Sequence, residues 1–438
     1  MSSSTSSPGG PGSWSSLRER PIAGEPRVLI TGAGLHGALG GARETWKALA
    51  SGRSALAMRP LPGVTGFPDI PAAPASEASP ADYLEDLKQL KYMSPAARMG
   101  VLAAGRALED ADLLESVHHR EEMALFAATG LIAFDLSAVG EAIDMARGAE
   151  GSLDMVRLGS EGLRLCHPLL PFRMLLNMPL GMISIAFGIR GENAILYPGP
   201  DQAVVCLDMA LRGIRAGRFL RALVGGITHG VSLLPVCTLR RLGRLASSLE
   251  AAQPYRPRHA GYAPADAAGF LVVESERSAA ERGARPLAVL ETAVTHQPID
   301  SGSGARVRSL AASWRESADG VPPDLLVSTG TLDYEEDRDV LRALESAWPA
   351  CSPPITSFDG LLGYQGAASV PSLVALSTQM LAGGDAAVPL LAGSEERSRT
   401  GFAAGDSPSL SPARIVISAS HPDGAHCVVR LRRAGGPG

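Results

Sequence analysis

Residues Leu165–Asn193 read LCHPLLPFRMLLNMPLGMISIAFGIRGEN, and the segment they lead into decides the fold. The next four residues, AILY (Ala194–Tyr197), have the apolar and β-branched content of a strand. Pro198, Gly199 and Pro200 end that strand, and an Ala-rich amphipathic stretch, Ala203–Ala216, reads as a helix. Strand, glycine-bearing turn and helix form the repeating unit of α/β folds.

The same alternation extends in both directions. Strands are expected at Val28–Gly34, Met123–Gly130 and Arg221–Thr228, and later at Gly269–Glu274, Leu287–Val294, Asp324–Thr331, Arg414–Ser420 and His426–Leu431. Helices are expected at RETWKALASG, where Gly52 serves as the stop, and at PAARMGVLAAGRALEDADLL, which Ser94 can N-cap. A further helix is expected at Ser369–Leu381. The order of elements in Arg27–Ala260 is loosely echoed in Tyr262–Arg433, and each half places a Gly-bearing turn after a strand (ATG, then STGT). A duplicated α/β unit is therefore expected, with halves 26–260 and 261–434 after a flexible tail of Ser, Gly and Pro at 1–25.

Composition narrows the function. Hydrophobic residues make up 45% and charged residues 19%, enough apolar material for a large core. A formal net charge of −5 lacks the basic excess of a nucleic-acid binder. No apolar run is long enough to span a membrane, and the N-terminus has no secretory pattern. The five cysteines are dispersed without CxxC spacing, which suits reduced thiols in a cytoplasmic protein. The histidines show no metal-ligand spacing, and no metal is expected.

Gly32-Ala33-Gly34-Leu35-His36-Gly37 is a GxGxxG after a strand. Dinucleotide binding would also require a second strand ending in an acidic residue about 20 residues on. That region instead reads as helix and irregular chain, so the glycines are expected to serve a tight turn and no cofactor is expected.

Several blocks in order resemble the β-ketoacyl synthases of the thiolase fold. RVLITGAGLHGALGGARETWKALASGRSAL is similar to that family's opening strand, turn and helix, and the NMPLG…GIRGEN block to the approach to its nucleophile. RALVGGITHGVS, STGT, SFDGLLGYQGAAS and SASHPDGAHCVVRL resemble its later strand, the two histidine loops and the closing loop. The resemblance covers most of Arg27–Arg433. It implies a thiolase-like α/β fold of duplicated halves, layered α-β-α-β-α.

A condensing member needs a cysteine thiolate at a helix N-terminus, two histidines, and a lysine supporting one of them. Placed on the quoted motifs, the nucleophile position falls at Pro200 and the first histidine at Val327. The second histidine falls at Tyr364, and the lysine at Asp359. Ser420-His421-Pro422-Asp423-Gly424 stands where the family has a Gly-Phe-rich loop. Scaffold glycines (Gly181, Gly191, Gly225, Gly226, Gly330, Gly363) remain around these four losses.

The resemblance thus points to a cysteine-less, chain-length-factor-like subunit of a type II polyketide system, of polyene, quinolone or aromatic type. Such a subunit pairs with an active ketosynthase through the strand before the nucleophile helix, helps bound the acyl tunnel, and meets an acyl carrier protein. Tunnel or interface candidates by motif position are Leu131, Phe134, Leu169, Leu170 and Phe172, each equally readable as core packing. Two other readings stay open: an acyltransferase using Cys206 or the Cys166–His167 doublet, and an acyl- or carrier-binding homodimer. Arg212, Arg215 and Arg218, or Arg240, Arg241 and Arg244, could steer an acidic carrier or be a plain solvated helix face.

Overall fold

The computed structural model describes residues 26–114, 122–131, 137–148, 151–297, 302–382, 386–387, 409–420 and 425–435. The expected tail, Phe134 and His421–Gly424 lie outside the described residues.

Among the described residues ten strands form the main sheet. They are β1 (Val28–Gly37), β2 (Ala124–Thr129), β3 (Asn193–Leu196), β4 (Arg221–His229) and β5 (Asp266–Ser275), then β6 (Ala288–His296), β7 (Leu325–Ser328), β8 (Ile355–Thr356), β9 (Arg414–Ser420) and β10 (His426–Arg433). Their spatial order is β8-β7-β9-β10-β6-β1-β5-β4-β2-β3. This is one five-strand pattern used twice. In the first set β2 runs parallel to β3 and β4, while β5 is antiparallel to β4 and β1. In the second, β7 runs parallel to β8 and β9, while β10 is antiparallel to β9 and β6. The seam between sets is narrow, pairing only Val28–Ile30 with Ala288–Leu290.

By strand order the repeat divides between β5 and β6, later than the expected boundary at residue 260. Asp266–Ser275 opens a fresh strand after a long irregular stretch and so reads as a new beginning, yet it pairs with β4 and β1 and completes the first set.

Three helical layers sandwich the two sets. Helix α1 (Ala42–Ala50) follows β1, and α2 (Pro95–Asp110), N-capped by Ser94 as expected, lies with α3 (Met178–Phe187) on the outer face of the first set. Between the sets run α4 (Pro200–Arg215) and, near the end of the chain, α7 (Ser369–Ala382). The side chains of these two helices share one core with inward residues of both sets, such as Phe126 and Val224 on one side and Val327 and Val429 on the other. Helices α5 (Ser303–Ser317) and α6 (Tyr334–Ala347) cover the outer face of the second set. The result is the α-β-α-β-α layering of the thiolase-like fold.

The GxGxxG glycines do not form a turn. Strand β1 continues to Gly37, and Gly32 and Gly34 lie inside it without positive φ. A Cβ on Gly34 would sit 2.0 Å from the Ala103 carbonyl, and one on Gly32 would sit 2.2 Å from that of Ala107. These glycines let α2 lie directly against the strand, a close approach no other residue permits.

Candidate functional site

The candidate positions lie at the start of α4 and in two loops of the second set, one of which leads into a turn that packs on α4. Strand β3 ends at Leu196, and Gly199 takes φ +114°, a conformation that favours glycine, to swing the chain into α4. Pro200 occupies the first turn of α4, where its fixed φ fits and its missing N–H costs nothing. The fold therefore presents at this helix N-terminus a buried ring with no nucleophilic atom.

Asp201 comes next in the chain, and no motif singles it out. Its Oδ2 accepts from Gln202 Nε2 at 2.6 Å, while its Oδ1 is buried without a hydrogen-bond partner among the described residues. The Asp201 carbonyl is 3.5 Å from Thr295 Oγ1 on β6. Burial, reinforced by the Asp201 charge, pushes the Cys427 thiol on β10 well above the usual range.

Strand β7 ends at Ser328, and the loop after it carries Thr329–Thr331. Val327, the first histidine position, is fully buried in the core between the sets. Asp359, the lysine position, ties this loop to the next one, because its Oδ2 accepts the Gly330 N–H at 2.9 Å. Burial raises its carboxyl to about 7, against the Gly330 hydrogen bond and His259, which lower it, and with Asp337, which raises it further. Beneath lies a satisfied polar cluster. Asp337 accepts from the Tyr255 N–H (2.6 Å) and Thr331 Oγ1 (2.9 Å), and His259 Nδ1 lies 2.6 Å from its Oδ2. The Tyr255 hydroxyl donates to Ser328 Oγ at 2.8 Å.

Tyr364, the second histidine position, is held by its backbone. Its N–H donates to the Ala263 carbonyl (2.7 Å) and its carbonyl accepts from the Ala265 N–H (3.1 Å). Its ring lies 4.4 Å from that of Tyr262, so an aromatic pair fills the place of a titrating imidazole. Two residues on, Gly366 takes φ +49°, and Thr228 Oγ1 accepts from the Ala368 N–H at 3.3 Å. A Cβ on Gly226 would sit 2.0 Å from the Ala367 carbonyl, so this loop presses on β4 itself, while one on Gly225 would sit 2.3 Å from the Gly269 carbonyl of β5. Helix α4 packs on the same turn.

The other expected nucleophiles are poorly placed. Cys206 is buried inside α4, and burial pushes its thiol up to about 12. Cys166 and His167 lie in a turn rather than a strand and bond separately. The Cys166 thiol lies 4.0 Å from the Gly162 carbonyl, and His167 Nδ1 accepts from the Leu169 N–H at 3.1 Å.

Of the tunnel candidates, Leu170 is buried, Leu131 and Leu169 are half-buried, and Phe172 is 40% exposed, with its ring edge-on to Tyr92. Phe172 thus belongs to a surface rather than a core. Among the described residues, eleven of the eighteen exposed large apolar side chains fall between Met145 and Tyr197, including Met155 at 65% and Val156 at 79%. Such a concentration is unusual for a free surface. Strand β3 is the last strand of the main sheet, bonded on one edge only among the described residues.

The sequence pattern described as Beta-ketoacyl synthase, N-terminal domain, matches residues 25–279. The chain belongs to the β-ketoacyl synthase family. It is 24% identical over 334 residues to the 3-oxoacyl-[acyl-carrier-protein] synthase 2 of Vibrio harveyi, covering 73% of this chain and 77% of that one. The Vibrio cholerae protein of the same name is 25% identical over 342 residues, covering 73% and 78%. Among solved structures, the ishigamide ketosynthase/chain length factor superposes with a TM-score of 0.75 at 18% identity, over 94% of this chain and 100% of that one. A type II polyketide synthase acyl-carrier protein in complex with its ketosynthase (AntDE:AntF) gives 0.73 at 18%, over 94% and 100%. A β-ketoacyl synthase from Burkholderia phymatum gives 0.75 at 19%, over 93% and 100%. At these identities the superpositions establish the fold. Among the described residues no helix is long and apolar enough to cross a membrane.

Proposed function

We propose that this chain is a non-condensing, chain-length-factor-like subunit that pairs with an active ketosynthase in type II polyketide biosynthesis. The observation that carries this reading is Pro200. The helix N-terminus on which a synthase needs its thiolate holds a residue unable to form a thioester, and Val327, Tyr364 and Asp359 supply neither imidazole nor ammonium. The scaffold is otherwise intact, so what the chain can still offer is shape. The open edge of β3 and the apolar face around Met155 and Val156 support a sheet continued into a partner, with a large dry contact.

In this reading side chains near β3, Leu131, Leu169, Leu170 and Phe172 among them, close the partner's acyl tunnel and set chain length by steric exclusion. Phe134 belongs with them by motif position alone. The complex works in the cytoplasm on chains held by an acyl carrier protein. Arg212 and Arg218 are engaged by Asp208 and Glu192, and Arg215 bonds the Glu291 carbonyl, which leaves Arg240, Arg241 and Arg244 as the better carrier-facing set. Arg240 there lies 4.8 Å over the Phe67 ring.

The test is co-expression of a tagged copy with a cysteine-bearing ketosynthase, followed by elongation with malonyl-loaded carrier protein. A one-to-one complex that elongates only with both chains present is expected. Acyl turnover by this chain alone, without a complex, would overturn the proposal.

A further inference from the structure

The described residues form a cavity of about 380 Å³ that the candidate site does not use. It lies where β2 and β4 begin, at the end of β4 opposite Thr228 and the loop that Thr228 meets. Its floor is cationic. Arg221, the first residue of β4, and Arg282, which follows the short helix Glu276–Glu281, bond the fully buried Glu274 carboxylate at 3.2 and 3.1 Å. Two guanidiniums on one carboxylate leave one positive charge in excess. Every guanidinium nitrogen of Arg282 is engaged, one of them on the Ala111 carbonyl at 2.6 Å. Arg221 bonds Glu274 and Ser278 through Nε alone. Among the described residues its two η nitrogens have no partner, and neither is sealed from solvent. The wall is anionic. Asp112 and Glu122 are exposed there, and among the described residues neither forms an ion pair, with the arginines or with any other cation. A third acid of the lining, Glu281, is occupied by Arg277 at 3.1 Å. Met123 and Leu220 belong to the apolar part of the lining.

Opposite charges that line one cavity without meeting suit a ligand that carries both. We propose that this cavity binds an α-amino acid with an apolar side chain. The ligand's carboxylate takes the free η N–H groups of Arg221 in a charge-assisted pair, its ammonium lies against Asp112 and Glu122, and its side chain rests on Met123 and Leu220. A simple anion would face two uncompensated carboxylates, and a simple amine would face the excess charge of the arginines. A zwitterion satisfies both. A cavity of this volume falls within the range of small-molecule sites, with a mostly apolar frame and a few polar groups that fix orientation. The proposal does not rest on pairing with a synthase.

Calorimetry on the full chain tests this. The apolar L-amino acids, from alanine to phenylalanine, are titrated at up to millimolar concentration, and the tightest is compared with its two halves. For L-leucine these are isocaproate, which lacks the ammonium, and isoamylamine, which lacks the carboxylate. Each half should bind about tenfold more weakly than the amino acid, or worse, as expected when a charge-assisted hydrogen bond is lost. Asp112→Asn/Glu122→Gln alters only exposed wall residues, and asparagine tolerates the φ of +53° at position 112. It should lower the affinity for the amino acid to about that for isocaproate, without weakening isocaproate itself. Arg221→Gln should remove both. Should that variant fail to fold, because Glu274 loses a partner, the comparison of leucine with isoamylamine reads the same contact. The proposal is overturned if none of the amino acids binds, if either half binds as tightly as the whole, or if Asp112→Asn/Glu122→Gln leaves the affinity unchanged. No synthase enters the measurement, so this site and the pairing reading can fail separately.

Discussion

The two edge strands of the sheet occupy equivalent places in the repeat and are built for opposite ends. Strand β3 closes the first set and feeds α4 through Pro200; β8 closes the second and leads through Asp359 and Tyr364 to α7. The Leu125 N–H donates to the Glu192 carbonyl at 2.8 Å, and bonding in a parallel ladder alternates, so Ala194 bonds to β2 while Asn193 and Ile195 turn their N–H and C=O groups outward. Strand β8 is two residues long, both buried, and is preceded by Pro353 and Pro354, which have no N–H to offer. Proline and brevity are the usual protections of a sheet edge. One edge is blunted and the other is left open. Duplication supplied the same topology twice, and the chain exposes only one end of it for pairing.

The largest expected effect comes from that geometry. Ile195→Pro removes an outward N–H without touching the bonds to β2, so it should abolish co-purification with a synthase and leave the melting temperature of the lone chain within a few degrees. A complex that survives would show that β3 is not the pairing edge. Next comes the apolar face. Val156→Glu places a charge where a partner would bury about 1.5–3 kcal/mol of side chain, so binding should weaken by ten- to a hundredfold while the lone chain becomes more soluble. Titration of the complex by light scattering or calorimetry reads both, and an unchanged affinity would put the contact elsewhere.

The third prediction belongs to the loop that β8 feeds. Asp359 has its carboxyl raised from 3.8 to about 7, so between those values the folded state holds more protons than the unfolded one. Stability should therefore fall as pH rises from about 4 to 7. Asp359→Asn retains an acceptor for the Gly330 N–H and removes the charge; it should flatten that slope and stabilise the protein at pH 8 by about 2 kcal/mol. Melting curves of both proteins across this range decide it, and parallel slopes would mean that Asp359 titrates normally.

Much of this is legible along the chain, and the pattern of what is not is instructive. The strand–turn–helix at Ala194–Ala216 is local, read from spacing and composition, and the structure has it as β3 and α4. The role of Gly32 and Gly34 is not local, because it depends on α2 lying against β1, and the sequence alone suggests a turn. Asp201 is silent in the sequence, since its surroundings come from Thr295 and Cys427, far along the chain. The repeat boundary is displaced because strand pairing, which no single strand announces, assigns β5 to the first set. The tilted Tyr262–Tyr364 ring pair likewise joins two loops about a hundred residues apart.

That ring pair gives the smallest expected effect and the sharpest check on whether the second loop retains any chemistry. Tyr364→His restores the residue type that the resemblance places there. The imidazole loses most of the contact with Tyr262, costing about 0.5–1.5 kcal/mol, but the backbone bonds to Ala263 and Ala265 do not depend on the side chain and should hold the loop in place. Chemistry should not return. A single imidazole at position 364 still lacks the second imidazole and the lysine that support decarboxylation, because Val327 and Asp359 stand where the resemblance places them. Incubation of the variant with malonyl-loaded carrier protein should therefore release no carbon dioxide above the level of the unaltered chain. Release would mean that the loop fed by β8 can act without the helix fed by β3, and that the two halves of the site decayed to different extents.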